Sequence, residues 1–169
     1  MNAVDLLASQ HRQIERLLSR LETTTMKRHK EMLLAALAED LSTHALIGEH
    51  QFYPAVRSAL RSEDAVLKSL EDHLLTIKRL IVEVVTSAAD DANLSGRLDS
   101  LKECVDHHVQ MEETELFPRV KTLIDPAEMR ILGASLEVEQ SRLEGRRRPC
   151  GPASPERPTG RWRRSLVRS

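Results

Sequence analysis

The sequence predicts an all-α protein, an up-down-up-down four-helix bundle with a short fifth helix and a disordered basic C-terminal tail. Apolar residues recur at alternating steps of three and four in four long segments, short polar stretches separate these segments, and only 2% of the 169 residues are aromatic. The three-four alternation keeps side chains on one face of an α-helix, where neighbouring helices pack. Long helices joined by short loops favour an antiparallel bundle.

The apolar pattern places five helices along the chain, and turn-forming residues separate them. Pro54 and Pro118 interrupt the second and fourth segments at matching places, where each should kink its helix. Residues 62–64 are small, polar or acidic and suit the start of the third helix, and Asp125 with Pro126 suits the start of the fifth. The predicted helices run from about Ala3 to Glu22, His29 to Leu60, Ser62 to Ala89, Ser95 to Ile124 and Pro126 to Leu143.

Charge divides the chain into two parts. Residues 145–169 carry eight arginines and one glutamate, hence +7, although the whole chain has a net charge of -1, which leaves -8 on residues 1–144. The basic segment also holds four of the seven prolines and shows no apolar period. Such a segment cannot bury enough apolar surface to offset the entropy of ordering it. We therefore predict a helical bundle over residues 1–144 and a disordered tail over residues 145–169.

Two further features of composition predict a cytoplasmic protein without a membrane partner. The chain has no run of about 18 uncharged apolar residues, and its first residues lack the basic start and apolar run of a signal peptide. Cys104 and Cys150 form no CxxC pair or disulfide framework, which fits a reducing compartment. Cys104 lies close to an apolar stripe, and we expect it to be a small buried hydrophobe.

Four histidines occupy positions on the apolar stripes where Leu or Ile would be expected, one on each main helix: His11, His44, His73 and His108. A lone core histidine is usually structural, but four on four stripes favour a metal site inside the bundle. His73 and His108 lie about 18 and 17 residues from the turn between their helices, so at ~1.5 Å per residue they should be level. Across the other turns the offset is roughly 10 Å, which uneven loops or kinks would have to absorb.

The second and fourth helices carry similar motifs. HALIGEHQFYP over residues 44–54 and HVQMEETELFP over residues 108–118 each combine a histidine, a carboxylate region one turn later, an aromatic residue and a proline. A His and a Glu four residues apart share a helix face and can chelate one ion. Together with Asp72 and His73 on the third helix, these motifs resemble the hemerythrin-like family, the HHE cation-binding domain, over about residues 3–140.

The resemblance implies a non-haem iron protein that binds or senses O2, NO or peroxide, or that holds iron. Whether such a protein would also be an enzyme is left open. It implies two irons, and its ligand candidates are His11, His44, His73, His108 and Glu112, with Glu49 and His107 as additional ligands or outer partners. Gly48 stands where the family has the glutamate that would bridge the irons, and Glu49 is rotated by about 100° from that face. A single iron is therefore the alternative.

A second interpretation assigns the function to the tail. Its eight arginines could neutralise phosphates, and Trp162, between Arg161 and Arg163, could stack on a base. The chain would then be a metal-free or metal-poor interaction protein whose tail binds nucleic acid or another acidic partner. An unselected extension, or loose docking of the tail on the acidic bundle, is the simpler explanation for the same arginines.

Overall fold

The structure is a computed structural model that describes residues 1–60, 64–87 and 92–147. The elements in chain order are α1 (Ala3–Thr23), α2 (Lys27–Ile47), π1 (Gly48–Phe52), α3 (Tyr53–Arg57), α4 (Ala65–Thr86), α5 (Leu94–Met111), π2 (Glu112–Leu116), α6 (Phe117–Leu123) and α7 (Pro126–Arg147). The two five-residue π-turns each continue directly into a short α-helix, so α2, π1 and α3 form one rod, and α5, π2 and α6 form another. With α1, α4 and α7 this makes five helical rods within the described residues.

Polar side chains begin several helices as the sequence predicts. Asp64 accepts hydrogen bonds from the backbone N–H groups of Val66 and Leu67, both at 3.1 Å, and Asp125 accepts one from Ala127 at 2.7 Å. These bonds satisfy N–H groups that have no partner within the first helical turn. The expected helix starts at Asp64 and Asp125 are therefore confirmed, whereas Ser62, Glu63 and Ala89 lie outside the described residues.

The apolar stripes form one continuous core, and the predicted bundle is confirmed. The stripe of α1, which includes Leu7, Ile14 and Leu18, is buried against α2, while α4 packs on α5 and on α2. Burying each such side chain contributes about 1.5–3 kcal/mol before the entropy of ordering is counted. No described helix combines the length and apolar character needed to cross a membrane.

The prolines do not end their helices, because a π-turn precedes each of them. Pro54 and Pro118 stand at the second residue of α3 and α6, directly after π1 and π2. In a regular α-helix a proline ring clashes with the carbonyl group four residues earlier and cannot donate to it. A π-turn bonds each N–H one residue further back and widens the helix at that place. The expected kinks are therefore two local π-turns within continuous rods.

The fifth helix is longer than the sequence predicts. α7 has 22 residues, as many as α4, and residues 145–147, predicted to belong to the tail, continue it. Gly145 weakens a helix by only about 1 kcal/mol relative to Ala, which is too little to end one that packs on its neighbours. Gly133 of α7 lies against the backbone of residues 1–3, where a Cβ atom would stand 2.4 Å from the carbonyl oxygen of Met1. The remaining tail, residues 148–169, lies outside the described residues.

Candidate metal centre

Three histidines and one glutamate form a buried polar cluster inside the bundle. His11 comes from α1, His44 from α2, His108 from α5 and Glu112 from the first position of π2, and all four are at most 3% exposed. The ring centroids of His11 and His44 are 4.9 Å apart, and those of His44 and His108 are 5.7 Å apart. The offset expected across the first turn therefore does not keep these side chains apart.

Glu112 is the centre of this cluster. Its Oε2 lies 2.9 Å from Nε2 of His11 and 3.7 Å from Nε2 of His44, while its Oε1 lies 3.8 Å from Nε2 of His108. The hydroxyl of Tyr53 donates a hydrogen bond to the same Oε1 at 2.7 Å. Three imidazole nitrogens and one phenol thus converge on a single buried carboxylate.

Outer partners orient two of the imidazole rings. Nδ1 of His11 donates to Oε1 of Glu113 at 2.9 Å, and Nδ1 of His44 donates to Oε1 of Gln10 at 3.1 Å. Gln10 in turn donates to Gln140 of α7 at 3.0 Å. Since these oxygens can only accept, Nδ1 carries the proton and Nε2 points to Glu112. Histidines that bind metals usually hold their outer N–H in this way.

The charges of the cluster suit a cation. Burial lowers the pKa of His44 to about 3 and that of His108 to about 4, so both rings are neutral at physiological pH. Burial opposes ionisation of Glu112, but His108, His11 and His44 outweigh it and lower the pKa of the carboxyl group to about 2. Burial also lowers the pKa of His11, yet its hydrogen bonds to Glu112 and Glu113 raise it overall. A bound cation would take the place of the proton on Nε2 of His11.

The donor geometry fits one metal ion. Ligand atoms from His11, His44 and Glu112 all lie within 4.8 Å of one another. Ligands at ~2.0–2.2 Å from one ion are separated by less than this distance, so a small contraction brings all three onto a single cation. Imidazole and carboxylate donors suit divalent iron, zinc and manganese. The ring of Phe117 stacks on His11 with a centroid distance of 5.9 Å and forms one apolar wall of the cluster.

His73 lies beside this cluster rather than within the group of three donors. Its ring centroid is 6.2 Å from that of His108, which confirms the expected level register, and 4.7 Å from that of His107. The Nδ1 atoms of His73 and His108 are both buried and have no hydrogen-bond partner among the described residues. Burial also lowers the pKa of His73, which keeps the ring neutral. These two histidines offer nitrogen donors next to the main cluster, and their role as ligands stays a prediction.

Gly48 leaves a space that Tyr53 fills. A Cβ atom at Gly48 would meet Cζ of Tyr53 and Cδ1 of Leu74, each at 3.6 Å. The Tyr53 ring is fully buried there, and its hydroxyl lies 3.5 Å from Nε2 of His108 as well as contacting Glu112. Burial and the neighbouring Glu112 raise the pKa of Tyr53 well above its usual value, so the phenol keeps its proton.

Tyr53 thus both packs in the core and donates a hydrogen bond to Glu112, a contact that its place in the sequence did not indicate. Tyr53 follows Gly48 by five residues, which in an α-helix places the two on different faces. The π-turn brings residues at this spacing onto the same side of the rod. Only the proline one residue later hinted at such a turn.

The other candidates lie outside the donor group. Glu49 is ion-paired with Lys78 of α4, and His107 is exposed next to His73. Glu113 lies beside the donor group, where it accepts a hydrogen bond from Nδ1 of His11. Cys104 is half-buried against the core, which agrees with its expected packing role.

Comparison with known proteins agrees with this geometry. The family model for the hemerythrin HHE cation binding domain matches residues 2–120. A crystal structure of a hemerythrin HHE cation binding domain-containing protein from Mycobacterium kansasii has the same fold, with a TM-score of 0.76 and 18% identity, over 86% of this chain and 89% of that one.

A protein described as a DNA nickase, from Nostoc sp. (strain PCC 7120 / SAG 25.82 / UTEX 2576), is 23% identical over 146 residues. The match covers 86% of this chain but only 41% of that protein's length. The family match extends over more than half of the chain and includes every residue of the buried cluster. The chain therefore belongs to the hemerythrin HHE cation-binding domain family.

Proposed function

We propose that the chain is a non-haem iron protein that binds or senses O2, NO or peroxide, or holds iron, at the cluster around Glu112. The observation that carries this proposal is the convergence of three Nε2 atoms on one buried carboxylate, with the outer nitrogens of His11 and His44 held by Glu113 and Gln10. His44 and His108 present lone pairs to a cation, and His11 would do so once the cation replaces its Nε2 proton. The outer bonds of His11 and His44 keep their rings in place.

The number and type of donors favour an iron ion that keeps an open coordination position. His11, His44 and Glu112 supply three ligand atoms, whereas ferrous iron in similar mixed imidazole and carboxylate sites takes up to six. Iron bound there would supply electron transfer to a small ligand. The chain's own residues exclude bulk water through Phe117 and the surrounding core, and the Tyr53 hydroxyl holds a proton beside the cluster.

The same donors favour one iron over two. Two neighbouring cations repel and need bridging anions between them. Glu112 is the only carboxylate among the donors that meet in the described part of the chain, because Gly48 supplies none and Glu49 is paired with Lys78. Tyr53 occupies the matching space but donates a proton to Glu112, so it adds no negative charge. A second ion beside His73 and His108 would therefore be held weakly.

Iron loading and small-ligand spectra test this proposal. Protein purified after expression with iron should contain iron and show an absorption band that changes on adding azide, and its ferrous form should change its spectrum on exposure to NO. His44→Ala should lose most of the bound iron because too few donors remain. His29→Ala is the matched control, since His29 is an exposed residue bonded only to Arg20 and Thr24 among the described residues. Equal iron in both variants would refute the site.

DNA binding through the tail is the second candidate function. It is supported by the name of the Nostoc relative and by the eight arginines of residues 145–169. Cleavage of DNA at the metal centre is disfavoured, because His11, His44 and Glu112 are at most 3% exposed and a duplex cannot reach them. Removing residues 148–169 should abolish any salt-dependent DNA binding and leave the iron spectra unchanged. DNA binding that survives this deletion would contradict the tail's role.

A further inference from the structure

The outward face of α7 carries an apolar stripe that no described residue covers. Ile131 and Val138 are each 71% exposed, the highest values among the large apolar side chains of the described residues. They lie opposite the buried side of the helix, which carries Met129, Gly133 and Leu136. The stripe continues in both directions through exposed apolar or small residues at steps of three or four, namely Ala127, Ala134, Ser141 and Gly145. This spacing is that of a seam between paired helices.

Charged residues flank the stripe on both edges, and the order of their signs indicates which kind of partner would pack on it. Arg130 and Glu137 lie on one edge, and Glu128 and Arg142 lie on the other. When two antiparallel helices are related by a two-fold axis, each edge meets the same edge of the partner. A reversed copy of α7 centred near Ala134 therefore brings every one of these four charges close to an opposite charge.

We propose that the chain forms a symmetric dimer in which the α7 helices of two copies pack antiparallel along this stripe. Ile131 of one copy then packs against Val138 of the other, Arg130 lies opposite Glu137, and Glu128 lies near Arg142. Two-fold symmetry doubles each of these contacts. A parallel pair is less complementary, because it would place Arg130 opposite the uncharged Ser135.

The present partners of these charges leave them available for the dimer. Glu137 contacts the N-terminal ammonium group at 3.4 Å, and Arg142 pairs with Glu139 one turn earlier. Both contacts are partly exposed ion pairs, which contribute little to folding. Each charged group can therefore turn to a second copy without loss of the bundle.

The inner face of α7 is linked to the metal centre by another route. Gln140 accepts the hydrogen bond of Gln10, which in turn holds His44. Charge reversals on the outer edge leave this link intact. Iron content therefore serves as an independent check that variants of the outer face are correctly folded, and failure of the dimer would leave the proposed iron site standing.

Sedimentation equilibrium of the full chain tests the dimer. We expect a species of twice the 19.1 kDa chain mass at micromolar concentration. Arg130→Glu and Glu137→Arg should each raise the dissociation constant by roughly tenfold or more, because each places like charges opposite each other. An equimolar mixture of the two variants should form the dimer again, since their charges are then complementary. Lys68→Glu, on α4, is the matched reversal and should change nothing.

Other outcomes would overturn the proposal. A monomer at all concentrations would do so, and so would a dimer that is insensitive to both reversals or is not restored by mixing. If the tail covers the stripe instead, the full chain will be a monomer and removal of residues 148–169 will create a dimer. Circular dichroism and iron content should match the parent chain in every variant, which separates loss of pairing from loss of folding.

Discussion

The rods that contain π1 and π2 share one backbone design but supply different chemistry. In each, a buried histidine is followed four residues later by the first residue of a π-turn, and an aromatic residue with a proline follows the turn. That first residue is Glu112 in π2 and Gly48 in π1. Glu112 reaches the three histidines directly, whereas Gly48 leaves room for the Tyr53 ring, whose hydroxyl then bonds to Glu112.

The π-turns therefore set where donors can stand, while the residue at the first position decides which donor is present. The next residues differ in the same way. Glu113 bonds to His11 and supports the centre, whereas Glu49 is bound by Lys78 of α4. The iron count should therefore depend on side chains at these matched positions rather than on a change of fold.

Removing the two matched carboxylates should give the largest contrast. Glu112→Ala should empty the metal centre and destabilise the metal-free bundle by about 3 kcal/mol, because it breaks a buried charged network. Glu49→Ala removes only a partly exposed ion pair and should leave iron content unchanged. Metal analysis and thermal unfolding of both variants measure the effect. Loss of iron in Glu49→Ala would mean that π1 supplies a carboxylate to the centre after all.

Tyr53→Phe keeps the ring beside Gly48 but removes its hydroxyl group. The variant should destabilise the metal-free protein by roughly 1.5–3 kcal/mol, since a buried carboxylate loses a hydrogen bond. Bound iron should remain, with an altered absorption spectrum. Phe52→Leu, a buried change on the same rod beside the rings of Tyr53 and Phe117, provides the control for packing. An unchanged spectrum in Tyr53→Phe would show that the hydroxyl has no influence on the centre.

Gly48→Glu would make the two π-turns alike at their first position. We expect destabilisation of roughly 1–3 kcal/mol, because a longer side chain must displace the Tyr53 ring that stands 3.6 Å from the new Cβ atom. The double variant with Tyr53→Ala opens that space, so its loss of stability should be smaller than the sum of the two single losses. Its iron content should rise toward two per chain. If the stability losses of the two single variants simply add, Tyr53 and the residue at position 48 do not compete for space.

The smallest contrast concerns the arginines that follow the two turns. Arg119 of α6 pairs with Asp64, which is 9% exposed and caps α4, whereas Arg57 of α3 pairs with Glu71 on the surface. Asp64→Ala should cost about 0.5–2 kcal/mol, and Arg57→Ala less than about 1 kcal/mol. Denaturant unfolding of the two variants measures both losses of stability. Equal losses would mean that the cap at Asp64 adds nothing beyond a surface ion pair.

Asp64 should also make the free energy of unfolding depend on pH in the acid range. Its hydrogen bond with Arg119 lowers the pKa of Asp64 below the usual value of 3.8. The charged form is thus favoured in the folded state, so its contribution is complete above the unfolded-state pKa and is lost as pH falls through the lower folded-state pKa. Asp64→Asn should remove this part of the acid dependence of unfolding. A parallel pH profile for both proteins would contradict the assignment.

Much of the fold and part of the site could be predicted from the sequence. The stripes located the bundle and the inward direction of His11, His44 and His108, because helical periodicity is a local property. The equal level of His73 and His108 followed from counting residues across one turn. The contact of His11 with His44 could not be predicted in this way, because counting residues from a turn assumes straight and parallel helices.

The π-turns and their consequences could not be predicted. A π-turn depends on tertiary packing and leaves the apolar spacing of neighbouring segments unchanged, so the role of Tyr53 was hidden. α7 likewise continues beyond its predicted end, and its packing on α1 and α2 is a tertiary contact that its own arginine-rich end does not reveal. Local propensity is a weak guide where tertiary contacts decide.

The number of irons that the parent chain binds decides whether Glu112 alone limits the metal centre to one ion. Metal-free protein would be saturated with ferrous iron without oxygen, freed of loosely held metal by gel filtration, and analysed for iron per chain. We expect one tightly held iron, because within the described residues Glu112 is the single carboxylate among the clustered donors, and Gly48 with Tyr53 provides no bridging anion. Two tightly held irons per chain would contradict it.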